Sequence, residues 1–281
     1  MIRIIAESTC DLSLETLGEW GVEVLPMYVT LDGTEYLDRV DISPKEFFAK
    51  LETSQGMPST AQVTPKRYED IMRDVQAKGE EALFLVFSSE LSGSYQACLI
   101  AQQTFDDLHI KIVDTKAASA GQGLIVHEIV KMAKEGASLE ELYNRAVLLS
   151  HHIEHLVLVD SLEMLKRGGR VSGVAAFMGG VMNIKPLLHM VDGKLIPFAK
   201  AKGSKKALKM LVEETKRRGK GLEDQTIFIA HGDNLEGAEA LIKELEETLG
   251  LKHFYVTELG ATIGSHTGKG VIAFFFFNEI L

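Results

Sequence analysis

Short runs of apolar, β-branched or aromatic residues alternate along this chain with stretches of helical periodicity, and that alternation restricts it to an α/β architecture. The runs are Ile2–Ala6, Leu83–Phe87, Ile110–Val113, His155–Val159, Thr226–Ala230, His253–Thr257 and Val271–Phe277. Between them, Pro65–Lys78 sets Tyr68, Ile71, Met72 and Val75 on one helical face. Thr64 predicts an N-cap followed by Pro at the first helical position. Ser138 with Glu141 predicts a capping box. Lys205–Arg218 and Leu235–Leu249 predict helices closed near Gly219 and Gly250. Asp192-Gly193, between Pro186–Val191 and Leu195–Phe198, predicts a hairpin.

The first half reads as β/α units, hence a parallel sheet with helices on its faces. The second half mixes a hairpin with helices and reads as α+β. The expectation is an N-terminal α/β/α domain over 1–153 and a C-terminal α+β sandwich domain over 154–281, with a ligand between them. A chain of 281 residues is long enough for both. Charge changes at the same place. Residues 1–150 hold 13 Lys/Arg and 24 Asp/Glu, whereas residues 166–220 hold 14 basic and 3 acidic residues. A net charge of −10 argues against a general nucleic-acid binder. Cys10 and Cys98, without close spacing, suit a reducing cytoplasm. The N-terminal segment is too soon charged for a signal peptide. The longest apolar run, Val271–Phe277, is too short to span a membrane.

Several motifs resemble catalytic signatures without meeting their requirements. His151-His152-Ile153-Glu154-His155 matches an inverted zinc-protease pattern, but it runs into a strand where that motif needs one continuous helix. Gly264–Gly270 is one residue short of a P-loop and has Gly270 where a hydroxyl is required. No metal or cofactor is expected. What remains is a set of hydroxyl and glycine clusters. Ser88-Ser89-Glu90-Leu91-Ser92-Gly93-Ser94-Tyr95 follows a strand and leads into a helix over Gln96–Phe105, where free N–H groups favour an anion. Pro58–Gln62 reads as a polar loop, and Gly264–Gly268 as a glycine-rich loop before the last strand. Lys166-Arg167-Gly168-Gly169-Arg170 gathers cations around a glycine pair.

In order, these segments resemble the DegV family of fatty-acid-binding proteins, which includes the lipid-binding subunit of bacterial fatty acid kinase. The resemblance covers essentially the whole chain. It rests on Glu7–Leu12, Thr60-Ala61-Gln62, Ser88–Tyr95, Asp160–Arg170, Asn183-Ile184-Lys185-Pro186 with Asp192-Gly193, and Ile263–Gly270. The chain departs from the family pattern at Glu7 (usually Asp), Ala61 (usually Ser) and Lys269 (commonly Pro). Lys200 and Lys202 also stand where many relatives carry arginine. Lysine lacks the bidentate fork of arginine.

The resemblance implies one long-chain fatty acid buried between two domains. It implies carboxylate contacts from Thr60, Ser92, Gly93, Ser94 and His266. Arg170, Lys202, Lys205 and Lys206 are then expected to face the phosphate and a kinase partner. The protein itself would not catalyse; a separate ATP-using subunit would phosphorylate the presented carboxylate. Burying an acyl tail supplies roughly 0.8 kcal/mol per CH₂, and the costly buried carboxylate needs hydrogen-bond donors. His266 is expected to keep an ordinary pKa near 6.5. Phe274–Phe277 and Ala175–Met182 are candidates for the pocket wall, with core packing the commoner role for such residues. Two other readings compete: a stand-alone hydrolase or transferase using His266 with Ser92 or Thr267, and a lipid-sensing regulator. No nucleophile elbow supports the first, and the net charge opposes DNA binding by the second.

Overall fold

A computed structural model describes residues 2–106, 108–173 and 183–279. The first body contains β1 (Ile2–Glu7), α1 (Leu14–Trp20), β2 (Val22–Leu25), β3 (Tyr28–Leu31), β4 (Thr34–Leu37), α2 (Pro44–Thr53), β5 (Ser59–Ala61), α3 (Pro65–Lys78), β6 (Glu81–Val86), α4 (Ser94–Gln102), β7 (Ile110–Asp114), α5 (Ala120–Lys134) and α6 (Leu139–His152). The second contains β8 (Ile153–Leu158), α7 (Glu163–Arg167), β9 (Ile184–Val191), β10 (Lys194–Lys202), α8 (Ser204–Arg218), β11 (Ile227–His231), α9 (Leu235–Leu249), β12 (Phe254–Glu258), α10 (Ala261–Thr267) and β13 (Ile272–Phe277).

The expected parallel sheet is present, in the order β2-β1-β6-β7. A separate mixed sheet runs β10-β9-β8-β13-β11-β12, with β9 and β10 forming the hairpin that Asp192-Gly193 signalled. The side-chain alternation of each strand decides which layer it faces. Ile5, Phe84 and Val86 pack under Tyr68, Met72 and Val75 of α3 and Ala97, Cys98 and Ala101 of α4. Ile4, Ala6, Leu83 and Leu85 face the other way, onto α5. The inner residues of the mixed sheet, among them Val157, Phe228, Ala273 and Phe275, pack on the same middle layer. Its outer residues, including Leu158, Ile229, Ile272, Phe274 and Phe276, are covered by Leu208 and Leu211 of α8 and Leu241 and Leu245 of α9. The first two turns of the middle helix α5 are therefore buried all round, with Ala120–Val126, Ile129 and Val130 buried and the polar residues His127, Glu128, Lys131 and Lys134 confined to its second half.

Several expectations need correction. Ser59–Ala61 is a strand, which joins β3 and β4 in a small sheet ordered β4-β3-β5. Gly264–Gly268 is mostly helical rather than a loop. Gly264 packs so close to α2 that a Cβ would lie 2.7 Å from Phe47 Cε1, so glycine here permits a helix contact, not a turn. Thr64 precedes α3, but its hydroxyl makes no cap hydrogen bond. The helix expected at Gln96–Phe105 begins two residues earlier and ends at Gln102. Ser138 and Glu141 do form the capping box. Of Phe274–Phe277, Phe275 borders an apolar void, Phe277 borders a separate cleft with Leu124 and Gln225, and Phe274 and Phe276 pack in the outer core. Ala175–Met182 lies outside the described residues.

Candidate functional site

In a parallel sheet of order β2-β1-β6-β7 the chain leaves β1 to one side and β6 to the other, so a crevice opens at their carboxyl ends. A cavity of about 340 Å³ lies there, closed by residues of both bodies. Thr60, Ala61, Gln62, Phe87, Leu91, Ser92 and Gly93 form one wall, and Leu165, Arg170, Leu195, Thr262, Ile263 and His266 the other. A smaller apolar void of about 50 Å³ adjoins it, bounded by Leu91, Leu195 and Ile263 and by Val157 and Phe275 of the mixed sheet.

At the polar end, Thr60 Oγ1 and His266 Nε2 lie 2.8 Å apart, joining β5 to α10 across 206 residues of chain. Burial, and then the positive charge of Arg170, push the His266 imidazole down to about 4. The expected pKa near 6.5 is therefore corrected: His266 is neutral at physiological pH and presents one donor and one acceptor. Arg170 Nε donates to the Leu91 carbonyl at 3.2 Å, and its guanidinium also donates to the Gly168 carbonyl. It thereby ties the Ser88–Gly93 loop to the end of α7 and still has donors left for an anion.

Ser92 Oγ accepts the Ser94 N–H at 3.2 Å and donates to Ser94 Oγ at 3.2 Å. Ser94 is fully buried and stands behind Ser92 rather than on the cavity wall. Gly93 is at the wall because the Gln62 side chain crosses it; a Cβ would fall 2.1 Å from Gln62 Oε1. Deeper still, the buried Glu7 carboxylate accepts from Tyr68 Oη at 2.7 Å and from the Phe87 N–H at 2.6 Å. Burial raises its pKa against those hydrogen bonds.

The helix that carries His266 is held by acids from the first body. Asp38 accepts from the Ala261 N–H at 2.8 Å and the Thr262 N–H at 3.3 Å. Asp11 accepts from the Gly260 N–H at 2.7 Å, from Ser119 Oγ at 2.7 Å and from Arg39 at 3.1 Å. Both aspartates are fully buried. Carboxylates at the first N–H groups of a helix satisfy donors that have no intrahelical partner.

The structure thus brings Thr60, Ser92, Gly93, His266 and Arg170 to one cavity. Lys202, Lys205 and Lys206 are exposed. Lys202 ends β10 opposite Ile184, seven strand steps from the cavity residue Leu195, roughly 23 Å along the strand. Sequence reasoning missed Gln62 as a wall residue, and it missed Thr262. The periodic signal for Thr262 was its place four residues before His266, which becomes visible only once the segment is known to be helical. His151 and His155 do not share a helix: α6 ends at His152, and the His155 ring in β8 accepts the Ala118 N–H at 3.1 Å. Among the described residues no cluster of three or more His, Cys, Asp or Glu side chains could hold a metal, and no helix is long and apolar enough to cross a membrane.

A family model described as DegV, an uncharacterised protein family, matches residues 1–279. A DegV domain-containing protein of Clostridium perfringens is 41% identical over 283 residues, covering 98% of this chain and 97% of the relative. The solved structure of a fatty-acid-binding DegV protein from Thermus thermophilus superposes with a TM-score of 0.91 at 33% identity, covering 98% of this chain and 99% of the other. A fatty-acid-binding DegV protein from Streptococcus agalactiae gives 0.89 at 27% identity, covering 100% and 99%. Matched from end to end in sequence and in fold, the chain belongs to the DegV family.

Proposed function

We propose that this protein binds one long-chain fatty acid in the cavity between its two bodies, taken as residues 1–153 and 154–281. The observation that carries this reading is the cavity's polarity: one end gathers neutral hydrogen-bonding groups, Thr60, Ser92 and His266, whose hydroxyls can turn toward a ligand, while an apolar void continues past Leu195 and Ile263 to Phe275. An acyl tail in the apolar part gains roughly 0.8 kcal/mol per buried CH₂. The carboxylate needs compensation, and hydroxyls with a neutral imidazole give it without a tight ion pair. Fatty-acid binding by the proteins from T. thermophilus and S. agalactiae supports the same reading.

The protein then acts as a carrier that presents its carboxylate, in the cytoplasm, to a separate ATP-dependent kinase subunit. Catalysis lies in that partner. Arg170, beside His266, suits the oxygens of the acyl phosphate formed there. The exposed Lys202, Lys205 and Lys206 suit an acidic face of the kinase. Replacing Thr60 and Ser92 together by Ala is expected to abolish lipid retention in native mass spectrometry; unchanged occupancy refutes the head-group assignment. Reversing the charge of Lys205 and Lys206 is expected to slow acyl phosphate formation by a kinase subunit while lipid binding persists. Unchanged rates would leave those lysines as plain surface.

A further inference from the structure

The β9–β10 hairpin outruns the sheet that carries it. β9 pairs with β8 only from Leu187 to His189, so the hairpin tip, Met190–Leu195, has no strand beside it among the described residues. Met190 and Leu195 are directly opposed across the tip and share one face. Leu195 lines the main cavity, and both residues line the apolar void that adjoins it. The next pair, Val191 and Lys194, lies on the other face and is exposed. A second cleft of about 340 Å³ borders Met190–Gly193 of the tip, with Lys116, His151 and Arg218 around it. The tip is therefore a partition with open space on both sides.

Few polar contacts hold it. Ser88 Oγ donates to the Gly193 carbonyl at 2.9 Å, and Lys194 pairs with Glu90 at 3.5 Å, both on the loop that carries Ser92 and Gly93. The Ser172 N–H donates to the Leu195 carbonyl at 3.1 Å. The base of the hairpin has the features of a hinge. The β9–β10 register shifts between Pro197 and Ala199, and Pro197 has no N–H to give to a partner strand. The turn itself is stiff, with φ of 48° at Asp192 and 82° at Gly193, values that match the twist of the two strands. Parting the two bodies would instead tear the apolar layer they share on α5. We infer that the Met190–Leu195 tip is a flap, which swings into the cleft behind it to pass the acyl chain and closes on Ser88 and Glu90 once the chain is seated. This rests on the fatty-acid reading above.

The test is an exchange rate. The full chain is loaded with hexadecanoic acid, and its replacement by the deuterated acid is followed by native mass spectrometry. In Glu90→Cys with Lys194→Cys, a short bismaleimide ties the flap shut after loading, and the same variant capped with N-ethylmaleimide leaves it free. The native Cys10 and Cys98 are buried away from both reagents. The tied protein is expected to keep its original acid while the capped protein exchanges. Lys194→Glu, which sets two acids against each other across the latch, is expected to exchange about fivefold faster than the wild type. Adding Glu90→Lys to it restores the wild-type rate. Equal exchange by the tied and capped proteins overturns the inference. Should the cysteine pair fail to fold, wild-type exchange by Lys194→Glu overturns it. Retention of no acid by the wild type overturns instead the fatty-acid reading on which the inference stands.

Discussion

His266 works as a neutral hydrogen-bonding group whose charge is suppressed by burial and by Arg170. In the lipid-free protein its imidazole is expected to titrate near 4 by NMR, below the 6.5 of an exposed histidine. Because the folded-state pKa is lowered, the neutral form prevails throughout the physiological range, and only strong acid charges it. Arg170→Ala removes a nearby cation and is expected to move the titration upward; a bound carboxylate moves it upward too, so lipid binding takes up protons in weakly acidic solution. A midpoint near 6.5 in the free protein contradicts this electrostatic picture. At this scale the cavity wall was readable wherever it is built from a local cluster. Thr60, Ser92 and His266 stand in compact hydroxyl and glycine runs, and the structure puts all three on the cavity wall. Gln62 and Thr262 were not readable as site residues. The first depends on its crossing over Gly93, and the second on a helix start set by Asp38, 224 positions earlier in the chain.

The element that decides the site's geometry is α10. Its glycines argued for a loop, and local propensity alone supports that reading. Tertiary contacts override it: Asp38 and Asp11 satisfy its first N–H groups, and Phe47 takes the space beside Gly264. Asp38→Ala strands two buried N–H groups and the Ser8 hydroxyl, which donates to the same carboxylate at 3.1 Å. The expected cost is about 3 kcal/mol, measured as a lowered denaturant midpoint, together with weakened lipid retention because His266 rides on the same helix. Full stability in this variant shows that α10 holds without its acidic anchor. Elements with strong periodicity or caps, such as α3 and α6, were readable at once. The helix α5 was not, because Gly121 and Gly123 dilute its pattern and the burial of its first two turns on all sides removes the polar face that periodicity detects there.

At the scale of the molecule, the composition shift near residues 150–160 coincides with the change from parallel to mixed sheet, yet the hydrophobic core does not stop there. Residues of both sheets share the layer built on α5, and α6 passes directly into β8. The two bodies are therefore expected to unfold together. Trp20, the only tryptophan, reports on this junction: its ring lies 5.0 Å from His127 of α5 and 6.4 Å from Tyr255 of β12. Tryptophan fluorescence and far-ultraviolet circular dichroism are expected to give coincident thermal transitions. Ile125→Ala, a truncation in the shared layer, should cost about 2–5 kcal/mol of stability and lower both midpoints together. Two separated transitions would mean independent halves. The central claim concerns what the cavity between them holds. Mass spectrometry of organic extracts from the protein purified out of a bacterial host tests it most directly. A long-chain fatty acid is expected at about one molecule per chain, and its absence would contradict the proposed function.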